Sequence, residues 1–248
     1  MTRSITVALL PCLASVWSVS NALSLGNSQN IIVSPSVAKA DFLNLGKDLS
    51  EAVEAGAEWL HFSIQDGRMV PKISFGAPMV AACREAFPNN VVFDVKLGCI
   101  EPEHRVPDFV KAGADILSVH PESTLQLGAV INMIDKAGVA PGVVLNPGTP
   151  ISAVRHVLDQ CQVAVVMLVN PGYGGPKYLS TAIEKIRALR ALKPDLHISV
   201  DGGVSEKNAA ELIAAGANVL VAGGGVFKAE DKRAAIANLK YASFVNGN

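Results

Sequence analysis

Two short apolar segments carry chemically capable side chains at alternate positions. His61 and Ser63 lie in WLHFSI, and Asp94 and Lys96 lie in VVFDVKL. Side chains two apart on a strand point to the same side, so each pair would face one side of its strand. Asp201 ends a third apolar segment, HISVDG. An imidazole, an ammonium and a carboxylate at strand ends suit proton transfer and anion stabilisation, although a lone strand histidine is more often a core residue.

Glycine clusters follow three later apolar segments. Backbone N–H groups can approach a phosphate closely only where no side chain intervenes, so these clusters predict a phosphate site rather than simple tight turns. Ser36, which follows the first apolar segment, is a further candidate ligand. The candidate substrate-binding residues in and beside these clusters are Gly172, Tyr173, Gly174, Gly175, Gly202, Gly203, Gly223 and Gly224.

The elements that must position these residues recur along the chain. Eight strand candidates begin roughly 22 to 34 residues apart, which is the spacing of βα units. They begin near Ile31, Trp59, Val91, Ile116, Pro141, Val163, His197 and Val219. The stretches between them are predicted to be helices, among them residues 51–55, 108–112 and 208–213. An Ala-Gly pair precedes four of the strands, which predicts left-handed glycines at helix ends: Gly56, Gly113, Gly138 and Gly216.

This pattern predicts an α/β fold, a single (β/α)8 TIM barrel over residues 31–240 with a C-terminal tail at 241–248. In such barrels the functional groups gather at the C-terminal ends of the strands. The alternative is a doubly wound open sheet, which normally has a G-x-G-x-x-G turn after its first strand. The first strand here ends in Ser34-Pro35-Ser36 instead, so the barrel is favoured.

Composition and charge exclude several classes of partner. Half of the 248 residues are hydrophobic, the formal net charge is −1, and the chain has no basic run. We therefore expect neither nucleic-acid binding nor membrane binding of the mature form. None of the four cysteines forms a C-x-x-C pair, so reduced, buried thiols are expected at Cys12, Cys83, Cys99 and Cys161.

The first residues differ from the rest of the chain. Arg3 precedes an apolar stretch at 5–19, and Ser20-Asn21-Ala22 offers small residues for cleavage. This layout predicts a signal peptide at 1–22, followed by a linker or transit remnant at 23–30. Such a segment directs the chain into the secretory route, with secretion or an endomembrane lumen as its destination.

Several motifs give the chain a family resemblance. It resembles the plastid type of ribulose-phosphate 3-epimerase from about Ile31 to Lys228. The matching segments are IVSPS at 32–36, DGR with VP at 66–71, EPEHRVPDF at 101–109, LNPGTP at 145–150, VNPGYGG at 169–175 and VDGGV at 200–204.

The resemblance implies a substrate and a mechanism. Family members interconvert ribulose 5-phosphate and xylulose 5-phosphate by removing the C3 proton beside the C2 ketone. Two aspartates act on opposite faces, and together with two histidines they bind a divalent metal, zinc or iron, that stabilises the enediolate. Family members are commonly homo-oligomers, so a homo-oligomer is expected here. A signal peptide before a plastid-type sequence further implies delivery to a plastid by the secretory route, with secretion or an endomembrane lumen as the alternative.

Carried over by position, the resemblance leaves the metal site incomplete. His61 matches the first histidine and Asp201 the second aspartate, whereas Ser63 replaces the first aspartate and Lys96 the second histidine. A serine hydroxyl is too weak a base for the missing role. A protonated Lys96 would oppose a divalent cation by several kcal/mol, even at an effective dielectric constant of about 20. We therefore expect the partial site of His61 and Asp201 to hold no metal cofactor.

Lys96 is further expected to pair with Asp201 and fill the place of the metal. Two functions then stand open. Asp201 could act as the remaining acid–base group while Lys96 stabilises the enediolate. Alternatively, the protein is a non-catalytic sugar-phosphate-binding relative, or a regulatory subunit of active epimerase. Either way, ordinary epimerase activity is in doubt.

Overall fold

Eight parallel strands form the centre of the structure, a computed structural model that describes residues 25–88, 91–174 and 179–242. Along the sheet the strands run in the order β1-β8-β7-β6-β5-β4-β3-β2. The strands are β1 (Ile32–Pro35), β2 (Trp59–Gln65), β3 (Val92–Gly98), β4 (Ile116–Val119), β5 (Ala140–Leu145), β6 (Val163–Met167), β7 (His197–Asp201) and β8 (Val219–Ala222).

A contact between the first two strands closes the sheet into a barrel. A parallel bridge joins Ser36, just after β1, to His61 on β2. On its other side β1 pairs in parallel register with β8, and the Ser36 N–H donates to the Ala222 carbonyl at 2.9 Å. The (β/α)8 barrel predicted from the sequence is therefore confirmed.

Helices follow most of the strands. They are α1 (Leu45–Glu54), α2 (Ala77–Ala86), α3 (Val106–Lys111), α4 (Leu127–Lys136), α5 (Leu179–Leu192), α6 (Glu206–Ala215), α7 (Gly224–Phe227) and α8 (Lys232–Lys240). The Ala-Gly pairs do end helices, because Gly56, Gly113, Gly138 and Gly216 all have φ between 76° and 116°. This left-handed backbone is easy for glycine and strained for other residues.

The connection from β5 to β6 is an exception, and the expectation of a helix there is wrong. It contains only two 3-10 turns, Ile151–Ala153 and Leu158–Gln160. Three β-branched residues, Ile151, Val154 and Val157, fall in this short stretch, and such residues lose side-chain freedom in a helix. Val154 and Val157 are nevertheless buried, so the irregular connection still covers the barrel.

Apolar residues form two cores. The larger core lies between the strands and the surrounding helices, and a smaller one contains inward-facing residues such as Ile32, Trp59 and Val219. Leu25 belongs to the smaller core, and the backbone of Gly26 is hydrogen-bonded to the His197 side chain. The folded unit thus includes residues that the sequence analysis assigned to a linker.

Both ends of the described chain are held against the barrel. Ala242 is buried in the larger core, although the sequence analysis placed it in the tail. In α8, Lys232 pairs with Asp48 at 3.0 Å and Glu51 at 2.7 Å, which joins the last helix to α1. The proposed signal peptide at 1–22 lies outside the described residues. Within the described part, no helix is both long enough and apolar enough to span a bilayer.

The cysteines within the described residues behave as predicted. Cys83, Cys99 and Cys161 are free and buried. Burial raises the pKa of Cys99 and of Cys161 to about 12, so both remain protonated thiols at neutral pH. Cys12 lies outside the described residues.

Candidate active site at the C-terminal mouth of the barrel

Side chains alternate between the two faces of β2 and β3, and this brings four polar side chains to neighbouring positions on one face. The register pairs His61 with Asp94 and Ser63 with Lys96. All four residues are buried, as expected for inward-facing positions of a barrel. Strand geometry thus gathers the side chains that the sequence analysis singled out, with Ser63 and Lys96 nearer the C-terminal end.

Lys96 and Asp201 form the ion pair predicted from the sequence. The Lys96 ammonium contacts Asp201 Oδ2 and lies 3.5 Å from the Met167 sulfur. The Lys96 side chain is 3% exposed and that of Asp201 is 17% exposed. Because β3 and β7 lie on different parts of the barrel wall, this contact crosses the interior.

The surroundings of Asp201 favour its ionised form. Burial alone would raise the pKa of Asp201, but the Lys96 ammonium, the His61 ring and two hydrogen bonds outweigh that effect. The pKa therefore lies below the ordinary value for aspartic acid. A carboxylate held in this way is a weaker base than a free aspartate.

His61 is held by one ring nitrogen and open at the other. Its Nδ1 lies 2.6 Å from Asp94 Oδ2, which fixes the orientation of the ring. Its Nε2 lies 3.8 Å from Asp201 Oδ2 and has no hydrogen-bond partner among the described residues. The open nitrogen therefore faces the same carboxylate that Lys96 contacts.

His120 is a residue of the mouth that the sequence analysis did not select. It follows β4, is fully buried, and within the described structure neither ring nitrogen has a hydrogen-bond partner. Burial, aided by the Lys96 charge, lowers the pKa of His120 to about 3 although Asp201 opposes this. The ring is therefore neutral. A histidine at a strand end was the only available signal, and it did not distinguish this position.

The glycines of the later loops surround the same mouth. Gly172, Gly174, Gly202 and Gly203 have φ between 70° and 113°, a backbone that other residues rarely adopt. A Cβ on Gly202 would lie 2.7 Å from Val169 Cγ2, so this position also needs glycine for packing. Gly175, which was also predicted to bind substrate, lies outside the described residues.

The ends of β1 and β8 lie next to each other at the mouth. A Cβ on Gly223 would lie 3.6 Å from Ser36 Cβ and 2.6 Å from Lys39 Cγ. A Cβ on Gly224, in contrast, would have no atom nearer than 3.9 Å. Tyr173 is largely exposed on the rim. Ser36 and the β8 glycines are thus brought together, as the predicted phosphate site requires.

Among the described residues, no group of three or more histidine, cysteine, aspartate and glutamate side chains is arranged to hold a metal ion. His61 and Asp201 are the two predicted ligands that do approach each other. Ser63 and Lys96 occupy the positions at which the family resemblance implies the other two metal ligands.

Solved structures have a similar barrel. The 3-keto-L-gulonate-6-phosphate decarboxylase of Vibrio cholerae O1 has a TM-score of 0.66 and 15% identity, covering 86% of this chain and 96% of that one. The 3-hexulose-6-phosphate synthase of Salmonella typhimurium has a TM-score of 0.67 and 14% identity, covering 87% and 99%. At such low identities these likenesses show the fold.

Sequence comparison identifies the family. The model of the ribulose-phosphate 3 epimerase family matches residues 32–227. The chloroplastic ribulose-5-phosphate-3-epimerase of Arabidopsis thaliana is 45% identical over 220 residues, covering 86% of this chain and 78% of the relative. The ribulose-phosphate 3-epimerase of Bacillus subtilis (strain 168) is 41% identical over 215 residues, covering 85% and 98%. The chain therefore belongs to the ribulose-phosphate 3-epimerase family.

Proposed function

We propose that this family member binds a pentulose 5-phosphate, D-ribulose 5-phosphate or D-xylulose 5-phosphate, without a divalent metal, and that Lys96 supplies the positive charge in its place. The contact between the Lys96 ammonium and Asp201 carries this proposal. This contact places a cation beside the carboxylate that, by the family resemblance, would bind zinc or iron.

The donor set supports the absence of a metal on physical grounds. His61 Nε2 and Asp201 Oδ2 could share an ion, since they lie 3.8 Å apart. A divalent ion about 4 Å from an ammonium, however, is repelled by about 8 kcal/mol at an effective dielectric constant near 20. Two remaining ligands do not offset such a repulsion. The residues present therefore do not suit a resident divalent metal.

The groups that remain can remove a proton from one face of the sugar. Asp201 is positioned to take a proton from one face of the sugar, and Lys96 to stabilise negative charge on the enediolate oxygens. Ser63 stands where the resemblance calls for the opposing aspartate, and its hydroxyl is not a base of comparable strength. We therefore expect exchange of the C3 proton without efficient inversion, so ordinary epimerase activity is slow or absent.

The glycine loops provide the anchor for the phosphate. Gly202 and Gly203 have left-handed backbones after β7, and Gly223, after β8, lies beside Ser36, whose hydroxyl is a further candidate ligand. Backbone N–H groups in glycine loops of this kind suit a phosphate dianion. A ligand held there would direct its ketone end toward the barrel interior, where Lys96 and Asp201 lie.

A second candidate function is sugar-phosphate binding without catalysis, as a relative or regulatory subunit of active epimerase. The lowered pKa of Asp201 favours it, because an aspartate engaged by a lysine is a poor base. The two candidates differ in one observable, exchange of the C3 proton in the bound ligand. We further propose a homo-oligomer in a plastid, the compartment named for the Arabidopsis relative, reached by the secretory route.

Calorimetric titration tests the binding proposal. The protein in EDTA is titrated with D-ribulose 5-phosphate and, as a matched control, with D-ribulose, which lacks the phosphate. We expect the phosphate ester to bind and the free sugar not to bind detectably. Binding that appears only after zinc is added would contradict the proposal.

A further inference from the structure

The Lys96 side chain brings a primary amine to the interior of a site for a ketose phosphate. Its Nζ is almost completely buried at the C-terminal end of β3, next to the Met167 sulfur. Burial suits an amine to covalent chemistry with a carbonyl group, since excluded water cannot hydrolyse the product. The substrate expected under the proposed function carries a ketone at C2.

Asp201 is a proton acceptor in direct contact with this amine. Its Oδ2 contacts Lys96 Nζ, so a proton can pass between the two groups without a relay. An amine must lose a proton before it can attack a carbonyl, and the carboxylate provides a place for that proton. The geometry thus places a nucleophile in contact with a proton acceptor, although the lowered pKa of Asp201 makes it a weak one.

His120 provides a second polar group in the same space. Its ring is fully buried, lies in the electrostatic field of both Lys96 and Asp201, and has no partner at either nitrogen within the described structure. A neutral imidazole has one N–H and one lone pair, so it can both donate to and accept from a hydroxyl group or a water molecule. Such a group can hold the oxygen that leaves when a ketone reacts with an amine.

We propose that Lys96 forms an imine with the C2 ketone of the bound ketose phosphate. This inference rests on the proposed function. First, the Lys96 ammonium gives a proton to Asp201 and the nitrogen lone pair forms a bond to C2, while the carbonyl π electrons move to oxygen. A proton then moves from nitrogen to that oxygen, which gives a carbinolamine.

The second half of the step restores the carboxylate. The carbinolamine hydroxyl leaves as water with the proton held by Asp201, and the nitrogen lone pair forms the C=N bond. In balance, an ammonium and a ketone become a protonated imine and water. The protonated imine withdraws electrons from C3, so it acidifies the C3 proton as a metal ion would.

Reductive trapping tests the imine. The protein is incubated in EDTA with D-ribulose 5-phosphate and sodium cyanoborohydride, and its intact mass is then measured. We expect one adduct per chain, heavier by the sugar phosphate less one oxygen atom, and peptide mapping should place it on Lys96. Lys185 is an internal control, because it is also buried but its Nζ lies 2.6 Å from the Asn146 carbonyl and 2.7 Å from that of Pro147.

Two results would overturn the imine while leaving ligand binding intact. One is the absence of an adduct under conditions in which calorimetry shows that the ketose phosphate binds. The other is an adduct that maps to another lysine or persists in a folded Lys96→Arg variant. If D-ribulose 5-phosphate does not bind at all, the proposed function and the imine fail together. Because mapping of the unaltered protein locates the reacting lysine, the test does not depend on any variant folding.

Discussion

Ser63 and Lys96 are direct neighbours across β2 and β3, so the two replacements expected from the family resemblance occupy one corner of the site. At these positions the resemblance implies a carboxylate in one case and an imidazole in the other, and the chain has a serine and a lysine. His61, held by Asp94 and open at Nε2, keeps the geometry of a ligand. The local difference between this site and a metal site is therefore small.

Introducing the two side chains that the resemblance implies should produce metal binding. In a Ser63→Asp, Lys96→His double variant the ammonium is removed and four donors converge with His61 and Asp201, a set that suits zinc. We expect about one zinc per chain after dialysis, measured by atomic emission, and much less than one for the unaltered protein. The Ser63→Asp single variant is the control, since it keeps Lys96. Stoichiometric zinc in the unaltered protein would contradict our account.

Some contacts of the site residues could be predicted from the sequence and others could not. The Lys96–Asp201 pair was predictable because strand alternation and the family resemblance placed both residues at one site. That His120 lacks a hydrogen-bond partner among the described residues was not predictable. Nothing in the sequence tells whether a buried histidine will find one. That depends on the packing of side chains from several strands.

Between the strands, small residues make room for polar ones inside the barrel. Gly142 on β5 lies beside Ser118 on β4, and a Cβ at position 142 would collide with Ser118 Oγ and lie 3.1 Å from its Cβ. The Ser118 hydroxyl is buried and, among the described residues, has no hydrogen-bond partner. This pair therefore links the packing of two neighbouring elements.

A Gly142→Ala substitution should destabilise the barrel. We expect the free energy of unfolding to fall by about 1–3 kcal/mol, measured by denaturant titration, because the added methyl overpacks the interior. Adding Ser118→Ala removes the colliding oxygen and should recover at least half of the loss. Gly46→Ala is the matched control, since no atom lies within 4 Å of its added Cβ. If the double variant recovers none of the lost unfolding free energy, the Ser118 hydroxyl is not the cause of that loss.

The loop after β2 is fixed by one carboxylate. Asp66 accepts hydrogen bonds from the N–H groups of Arg68 and Met69, and across to the loop after β3 from Ile100, at 2.8–2.9 Å. Burial opposes ionisation, but these hydrogen bonds outweigh it and lower the pKa of Asp66. A lowered pKa in the folded state means that the carboxylate stabilises the protein at neutral pH and that this contribution disappears as the pH falls through that pKa.

An Asp66→Asn variant should show this pH dependence. We expect it to lose about 1–2 kcal/mol of unfolding free energy at pH 7, because the amide cannot accept all three bonds. The difference from the unaltered protein should shrink as the pH falls below about 4. Asp135→Asn, at an exposed site on α4, should change stability by less than about 0.5 kcal/mol. A difference that is constant with pH would contradict the assigned role of the charge.

The elements themselves were largely predictable. Eight buried apolar runs and four Ala-Gly pairs predicted the strands and several helix ends, since both signals depend on local backbone preference. The connection between β5 and β6 was not predictable, because its apolar residues are spaced as in a helix while its backbone forms only 3-10 turns. Val154 and Val157 are buried although no helix forms there, so the pattern of buried residues alone could not decide whether this connection is helical.

For the molecule as a whole, the segment before β1 closes the end of the barrel opposite the site. Leu25 is 8% exposed and belongs to the inner core with Ile32 and Trp59. The polar composition of the segment suggested a linker, because a single leucine carries little weight in a sequence pattern. Its packing depends on the whole barrel being present.

Leu25→Ala should therefore destabilise the whole domain. Removal of a buried leucine side chain costs about 2–3 kcal/mol when the cavity cannot collapse, and thermal unfolding should report the loss. Leu125→Ala is the matched control, since that leucine is 98% exposed and its loss should cost under about 0.5 kcal/mol. Equal effects of the two substitutions would show that Leu25 does not contribute to the core in solution.

We have proposed that the Lys96 ammonium provides the positive charge that a metal ion would provide, and that Asp201 is the base of the site. Proton NMR of the protein with D-ribulose 5-phosphate in D₂O, with EDTA or with added zinc or iron(II), tests this proposal. We predict deuterium incorporation at C3 in EDTA, unchanged by either metal, with xylulose 5-phosphate formed at least about 100-fold more slowly. Rapid formation of xylulose 5-phosphate that depends on the added metal would contradict the account.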